Sequence, residues 1–177
     1  MPPNNVRPAS KIIGDIEIYA FSDGDLPATH EVAVGAPPEE IARLTGVPIG
    51  GPTTLPVNAF LMKFGGKHAL VDVGSSDTQG PTLGFLIERL AGFRVTPAMI
   101  DYVFVTHAHP DHTNGLLSPA GAVNYPNAEI IIHEREAHFW LDREIAESDN
   151  FRVKRNAAKN RQTLGPYCER LRRVRDG

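Results

Sequence analysis

Hydrophobic and polar positions alternate in the first part of the chain in a way that predicts a strand. From Asp15 to Phe21, Ile16, Ile18 and Ala20 alternate with Asp15, Glu17 and Tyr19, which is the period-two pattern of a half-buried strand. The run Ser22-Asp23-Gly24-Asp25 is predicted to end this strand in a turn. A proline- and glycine-rich stretch from Leu26 to Pro56 then predicts a long loop over a site, with a short helix at Pro38 to Leu44.

The next segment predicts a hairpin followed by a helix. Two apolar runs, Asn58 to Phe64 and His68 to Val73, flank Gly65-Gly66, which predicts a tight turn between two strands. Apolar residues then recur at the i, i+3, i+4 and i+7 positions of one helical face, and Gly92 is expected to end that helix. The residues of this face are Leu83, Leu86, Ile87 and Leu90.

Strands and helices continue to alternate to the end of the chain. Thr96-Pro97 predicts a helical cap before the strand Tyr102 to Val105, and Glu129 to Ile132 predicts another strand. A helix is predicted from Ala137 to Ile145, and the polar stretch beyond Asp149 predicts further helix with a break near Gly165-Pro166. This order predicts an α/β fold.

Length and composition predict one soluble globular domain over residues 1–177, with residues 1–13 flexible. The 177 residues are 41% hydrophobic and 22% charged, which is enough to bury a core. No apolar run is as long as a membrane helix requires, and the first ten residues carry no secretory signal, so we expect a cytoplasmic protein without a membrane partner. A lone Cys168 excludes a disulfide framework and a multi-cysteine zinc site.

Charge is distributed unevenly along the chain. The net charge is -3, yet the residues from Arg152 to Gly177 hold nine Lys or Arg against Glu169 and Asp176. Such a basic segment is compatible with a nucleic-acid partner, but it lacks interleaved glycine or aromatic residues. We therefore interpret it as solvated helix surface and expect no nucleic-acid partner.

The strongest chemical signal is a loop directly after the predicted strand Tyr102 to Val105. His107, His109 and His112 fall within six positions together with Asp111, in a chain with seven histidines in all. Imidazole nitrogens and a carboxylate suit zinc, iron or manganese, and a short loop at the end of a strand can direct several side chains to one point. The pattern predicts a metal-binding loop.

This H-x-H-x-D-H pattern, preceded by Leu70-Val71-Asp72-Val73-Gly74, resembles the first two motifs of the metallo-β-lactamase superfamily. The runs Gly80-Pro81-Thr82-Leu83-Gly84 and Tyr125-Pro126-Asn127-Ala128, and the segment Glu136-Ala137-His138-Phe139-Trp140, are similar to the branch that contains methyl parathion hydrolase and certain N-acyl-homoserine lactonases. The resemblance spans nearly the whole chain from Gly14 and implies an αββα sandwich with metals at one edge of its sheets.

The resemblance also implies two divalent metal ions, zinc first among them, with manganese, cobalt or iron also accommodated. His107 and His109 would bind one ion, while Asp111 and His112 would bind the second. Asp72 would accept hydrogen bonds that hold the metal loop in shape. His133 and His138 are five residues apart, which turns them to different faces of a helix, and they are not expected to be ligands.

The function implied is hydrolysis of a lactone, ester or phosphotriester by a hydroxide that bridges the two metals. Metal binding lowers the pKa of water from about 15.7 to about 7, so a nucleophile exists at neutral pH. Asp111 is the candidate catalytic residue for moving protons. Two alternatives stay open: an iron-dependent oxidoreductase of the same superfamily, and a non-catalytic metal-binding module.

One departure from the family pattern affects these expectations. The second half of family members supplies two more histidines and a bridging carboxylate, and those motifs do not occur in this sequence. Two protein ligands for each metal fall short of the three usual in a catalytic zinc site. The chain therefore resembles the N-terminal portion of such an enzyme, and we expect weak metal binding, exposed apolar sheet surface, and a homodimer or a complementing C-terminal chain.

Overall fold

The computed structural model describes residues 8–29, 32–33, 35–141 and 149–176, and their strands form one seven-stranded mixed sheet. The strands lie in the sheet in chain order. From β1 to β4 neighbouring strands are antiparallel, and from β4 to β7 they are parallel. The strands are β1 (Ala9–Ile13), β2 (Ile16–Ala28), β3 (Thr53–Phe64), β4 (Lys67–Val71), β5 (Tyr102–Val105), β6 (Glu129–His133) and β7 (Leu171–Val174).

Helices connect the parallel strands, as parallel pairing requires crossover connections. The helices are α1 (Pro38–Thr45), α2 (Leu86–Gly92), α3 (Pro110–Thr113), α4 (Glu134–Leu141) and α5 (Phe151–Leu164), with 3-10 turns at Pro97–Met99, Asn114–Leu116 and Gly165–Arg170. The side chain of Asn150 caps α5 by accepting from the N–H groups of Arg152 and Val153. None of the helices in the described ranges has the length and apolar character needed to span a membrane.

The hydrophobic core lies on one face of the sheet. Along β3 every second residue is buried, namely Val57, Ala59 and Leu61, as expected for a strand covered on one side. Helices α2, α4 and α5 contribute to the same core, so they cover this face. Core members from the sheet and these helices include Leu70, Val103, Ile130, Leu86, Leu90, Ala137, Trp140 and Leu164.

The opposite face of the sheet carries a row of apolar side chains that is less deeply buried. Phe60 pairs with Val71, Val71 with Phe104, and Phe104 with Ile131, so these four residues lie side by side across β3 to β6. Phe60 is 40% exposed and the other three are half-buried. We call these four residues the open face. The second sheet implied by the resemblance is not found among the described residues.

Most of the predicted elements are confirmed. The α/β class is confirmed, as is the hairpin at Gly65-Gly66, which joins β3 and β4. Strand β5 has the predicted bounds, and α1 forms at the short helix expected from Pro38 to Leu44. Helix α2 ends at Gly92 as predicted but begins at Leu86, so Leu83 of the predicted face precedes it. A helix follows Asp149 as predicted and ends at Leu164. The predicted helix from Ala137 continues to Leu141, and its remainder falls in residues 142–148, outside the described ranges.

Two predictions at the start of the chain are wrong. The turn at Ser22-Asp23-Gly24-Asp25 does not end β2, which passes through a β-bulge between Ser22 and Gly24 and continues to Ala28. The loop predicted from Leu26 to Pro56 is consequently shorter, since β2 and β3 pair along its two ends. Glycine and aspartate favour turns and bulges alike, so local sequence could not separate the two.

Two edge strands were not predicted. Strand β1 forms where residues 1–13 were expected to be flexible, while residues 1–7 lie outside the described ranges. Strand β7 forms in the basic segment that was interpreted as helix, and it pairs in parallel with β6. Arg172 and Arg173 are exposed on this strand, and charged residues on an edge strand hide the apolar alternation that would have revealed it.

Candidate metal centre

The candidate site forms where the parallel strands β4 and β5 end at the same edge of the sheet. Asp72 follows β4 and Thr106 follows β5. The N–H of Asp72 donates to the carbonyl of Phe104 at 2.9 Å, and the N–H of Thr106 donates to the Asp72 carboxylate at 2.9 Å. The backbone of Asp72 has φ 58, a left-handed conformation that is costly for a residue other than glycine.

Asp72 also holds one of the predicted ligands. Its Oδ2 atom lies 2.7 Å from Nδ1 of His112 and accepts from the Thr106 hydroxyl at 2.7 Å. The opposite ring nitrogen of His112, Nε2, faces Oδ2 of Asp111 at 3.2 Å. A carboxylate on one nitrogen of a histidine fixes the ring and directs the other nitrogen outward, which is the usual arrangement of metal-binding histidines.

The other two histidines form one cluster with His112, and His107 contacts both of the other rings. The ring centroids of His107 and His112 are 4.0 Å apart, and those of His107 and His109 are 4.7 Å apart. Thr106 Oγ1 lies 3.2 Å from Nδ1 of His107, which leaves Nε2 of that ring for another partner. The ring centroids of His109 and of Trp140 on α4 are 5.5 Å apart, and the two rings are inclined at 71°. The structure therefore brings all four predicted ligands and Asp72 together.

The electrostatics of the cluster centre on His112. Burial lowers the pKa of its imidazole, but hydrogen bonds to Asp111 and Asp72 outweigh burial and raise this pKa to about 9. Burial raises the pKa of Asp111, and the hydrogen bond to His112 outweighs it, so the net pKa lies below the usual value. Burial, followed by the charges of His112 and His109, lowers the pKa of His107. A positive charge is thus stabilised between two carboxylates.

Two residues that the sequence analysis did not select hold the loop itself. Glu136 on α4 accepts from the N–H of Ala108 at 2.8 Å and from the indole N–H of Trp140 at 2.9 Å. Asn160 on α5 donates to the carbonyl of Ala108 at 2.7 Å and accepts from the Thr113 hydroxyl at 3.2 Å. Ala108, which lies between His107 and His109, is therefore held through both its N–H and its carbonyl group.

The sequence carried only a weak signal for these two residues. Glu136 is part of a segment quoted for the family resemblance, but no spacing rule connects it to a loop far away in the chain. Asn160 lies in a polar helix and is nevertheless 1% exposed. A buried asparagine in such a helix is detectable only once the helix faces are known.

The donor types and their orientation fit a divalent metal, but the ligand set is incomplete. Within the described ranges, no three His, Cys, Asp or Glu side chains are arranged to hold one ion. Nε2 of His112 and Oδ2 of Asp111 face each other, and a metal entering between them would replace the proton held there. His133 lies elsewhere, 3.4 Å from Asp176, outside the cluster. That the four clustered residues bind metal stays a prediction.

Comparison with known proteins identifies the family. A sequence profile described as the metallo-beta-lactamase superfamily matches residues 52–170, which is more than half of the chain. The chain therefore belongs to the metallo-beta-lactamase superfamily, as the histidine motif predicted. A search of curated proteins found no match.

Solved structures agree with this assignment. A structure described as the hydrolase AbOPH in the beta lactamase superfamily has a TM-score of 0.82 and 27% identity, over 98% of this chain and 62% of that one. AidC, a dizinc quorum-quenching lactonase, has a TM-score of 0.79 and 22% identity over 95% of this chain and 61% of its own. A probable metal-dependent hydrolase from Staphylococcus aureus has a TM-score of 0.75 and 24% identity, over 94% and 61%.

The two structures below 25% identity support the fold alone. In all three comparisons the chain spans about three fifths of the other protein's length. The superfamily and its α/β fold are thus established, and the activity of the whole protein is a proposal.

Proposed function

We propose that this protein is a metal-dependent hydrolase acting on a lactone, an ester or a phosphotriester. The observation that carries the proposal is the orientation of His112, whose Nδ1 atom is held by Asp72 at 2.7 Å while Nε2 faces Asp111. A histidine serving only to stabilise the fold has no need of a second carboxylate at its free nitrogen. The similarity to the hydrolase AbOPH at 27% identity supports the same interpretation.

In this proposal the residues of the cluster have separate roles in metal binding and proton transfer. His107 and His109 would hold one metal, and Asp111 with His112 would hold a second. Bound divalent metals lower the pKa of coordinated water to about 7 and so supply hydroxide at neutral pH. Asp111 would accept a proton from the attacking water and return it to the leaving group, because its Oδ2 atom lies 3.2 Å from Nε2 of His112 within the same ligand cluster.

The remaining ligands are proposed to come from polypeptide other than the described residues. Two side chains for each metal fall short of three, and the open face, with Phe60 40% exposed, leaves apolar surface for a further layer. This polypeptide would be a further part of the protein, a complementing chain or a second copy. Sedimentation and thermal unfolding of the 177-residue chain test the point. A monomer that unfolds sharply and binds two equivalents of zinc would contradict it.

Turnover experiments test the proposed reaction. The protein, loaded with zinc or manganese, would be assayed against an N-acyl-homoserine lactone, an aryl ester and a phosphotriester. We expect hydrolysis of at least one of them, loss of it in Asp111→Asn, and retention in His138→Ala, which changes an exposed histidine on α4. Metal binding without hydrolysis of any substrate would favour a non-catalytic module. Bound iron with oxygen consumption would favour the oxidoreductase.

A further inference from the structure

Asp23 is a buried carboxylate that lies on β2, outside the histidine cluster. Its exposed fraction is 1%. Main-chain N–H groups satisfy it: Ser75 donates to Oδ2 at 2.9 Å, Gly84 donates to Oδ2 at 3.1 Å, and Leu86 donates to Oδ1 at 3.1 Å. Burying a carboxylate is costly unless such bonds replace its hydration, so these contacts fix the backbone that makes them.

The β-bulge explains how Asp23 reaches this position. Ser22 pairs with Asn58 and Gly24 pairs with Val57, so Asp23 is the additional residue without a partner on β3. Its carbonyl oxygen accepts instead from the N–H of Phe85 at 3.0 Å. One bulged residue thereby binds both ends of the connection between β4 and α2. We call residues 74–86 the connecting segment.

The connecting segment packs so closely against β2 that no side chain fits at two glycine positions. A Cβ atom on Gly24 would lie 2.0 Å from the carbonyl oxygen of Thr82. A Cβ atom on Gly74 would lie 2.3 Å from Cγ of Asp23. Both distances are far below van der Waals contact, so glycine is required at both positions. The Gly80-Pro81-Thr82-Leu83-Gly84 motif contacts β2 directly, because Thr82 accepts from the N–H of Asp25 at 3.0 Å and Gly84 donates to Asp23.

The start of the connecting segment is in turn bonded to the metal loop. The carbonyl of Gly74 accepts from the N–H of Gly115 at 2.9 Å, and the N–H of Val73 donates to the carbonyl of His112 at 3.0 Å. Asp72, which holds the ring of His112, is the residue before Val73. Asp72 and Ser76 both have positive φ, at 58 and 54. Strained residues of this kind persist only where surrounding contacts determine the backbone.

We infer that Asp23 is a positioning residue for the metal centre, a role that rests on the proposed function. By fixing Ser75 it keeps Asp72 in its left-handed conformation, and Asp72 then sets the ring orientation of His112. Asp23 touches none of the reacting groups in this account. Its effect is transmitted through the two residues between Asp72 and Ser75, Val73 and Gly74, and through their bonds to the segment that carries His112.

Three variants separate positioning from simple stabilisation. Asp23→Ala removes all three acceptor bonds of the carboxylate. Asp23→Asn keeps an oxygen that can still accept from Ser75, so it should fold and show a smaller effect. Ile100→Ala, at the opposite end of β5 from His107, creates a cavity at a fully buried site and serves as the control for lost stability.

Two measurements are made on each variant. The first is the downfield proton resonance on Nδ1 of His112 in the metal-free protein, assigned by its absence in His112→Asn, which reports the hydrogen bond to Asp72. The second is zinc affinity by competition with a chelating dye. Because the resonance needs no metal, it tests the inference even if the wild-type protein fails to bind zinc and the proposed function is thereby overturned.

We expect Asp23→Ala to lose or shift the His112 resonance and to weaken zinc binding about tenfold, the lower end of what residues supporting metal ligands contribute. Asp23→Asn should change both in the same direction by less, and Ile100→Ala should change neither. If Asp23→Ala does not fold, a shifted resonance in Asp23→Asn supports the inference. An unchanged resonance in every folded Asp23 variant, or an equal change in Ile100→Ala, would overturn it.

Discussion

Strands β4 and β5 are held together by an aspartate at each end, and the two aspartates have opposite characters. At the amino ends Asp101 is solvent-accessible, with 27% of its side chain exposed, and it pairs with Lys67 at 2.6 Å and with the N–H of His68 at 2.9 Å. At the carboxyl ends Asp72 is 5% exposed and holds Thr106 and His112. Both join neighbouring strands, but only Asp72 is buried and strained.

The difference shows which end of the two strands contains contacts and conformations that reduce stability. Asp101 closes the sheet with an ion pair that water could largely replace, so its contribution is small. Asp72 requires a left-handed backbone and a buried carboxylate, both of which cost free energy. Strain concentrated beside a cluster of histidines is typical of a functional site. We therefore interpret the carboxyl ends of β4 and β5 as the functional site. The ion pair at their amino ends is interpreted as a contact that only stabilises the fold.

The largest expected effect comes from replacing Asp72 with asparagine, and the same replacement at Asp101 serves as its control. Asp72→Asn places an amide N–H₂ among three donors, so we expect a loss of about 1–3 kcal/mol in the free energy of unfolding and a roughly 10- to 100-fold loss of zinc affinity. Asp101→Asn should leave zinc affinity unchanged. Urea unfolding and chelator competition measure the two quantities. Equal effects of both variants on zinc affinity would remove the distinction between the ends.

A second effect is expected from the clamp around Ala108. Asn160→Ala leaves the buried carbonyl of Ala108 and the Thr113 hydroxyl without this partner, which should cost about 1–3 kcal/mol and weaken zinc binding. Asn156→Ala, one helical turn earlier on α5, is the matched control, since the side chain of Asn156 accepts from the exposed Arg155. Thermal unfolding and zinc titration of both variants measure the difference. Indistinguishable variants would show that the clamp is dispensable.

A third prediction compares backbone strain at the candidate site with backbone strain at a helix end elsewhere in the fold. Arg94 has φ 60 after α2, where Val95 donates to the carbonyl of Leu90 at 2.9 Å in the pattern of a helix end that favours glycine. Arg94→Gly should stabilise the fold by up to about 1 kcal/mol, whereas Arg94→Ala should not. Asp72→Gly relieves the same kind of strain and should still weaken zinc binding. The midpoint of urea unfolding provides the comparison, and destabilisation by Arg94→Gly would contradict it.

The smallest effect concerns pH at the amino end. The hydrogen bond from Lys67, followed by that from the His68 N–H, lowers the pKa of Asp101 below its usual value. The folded pKa thus lies below the unfolded value of about 3.9, so the stabilisation is full above that pH and is lost as the pH falls through the folded pKa. We expect wild type to unfold at a higher temperature than Asp101→Asn at pH 6 and at the same temperature near pH 2. A difference that grows on acidification would refute this assignment.

The sequence predicted features that depend on nearby residues and did not predict those that depend on distant ones. Strand β5 and the hairpin around Gly65-Gly66 were predicted because their patterns are local. The histidine cluster was predicted because its members lie within six residues. Asp23 and Asn160 were not recognised, because each acts on a backbone more than 45 residues away in the chain. Long-range main-chain contacts leave no periodic signal in a sequence.

The central claim is that His107, His109, Asp111 and His112 form a metal site. Elemental mass spectrometry of the purified protein after equilibration with zinc tests it most directly, with His109→Ala as the variant and His138→Ala as the control. We predict that zinc stays bound to wild type and His138→Ala and that the content falls in His109→Ala. Because further ligands are proposed to come from other polypeptide, we expect fewer than two equivalents in wild type, and equal zinc content in all three proteins would contradict the claim.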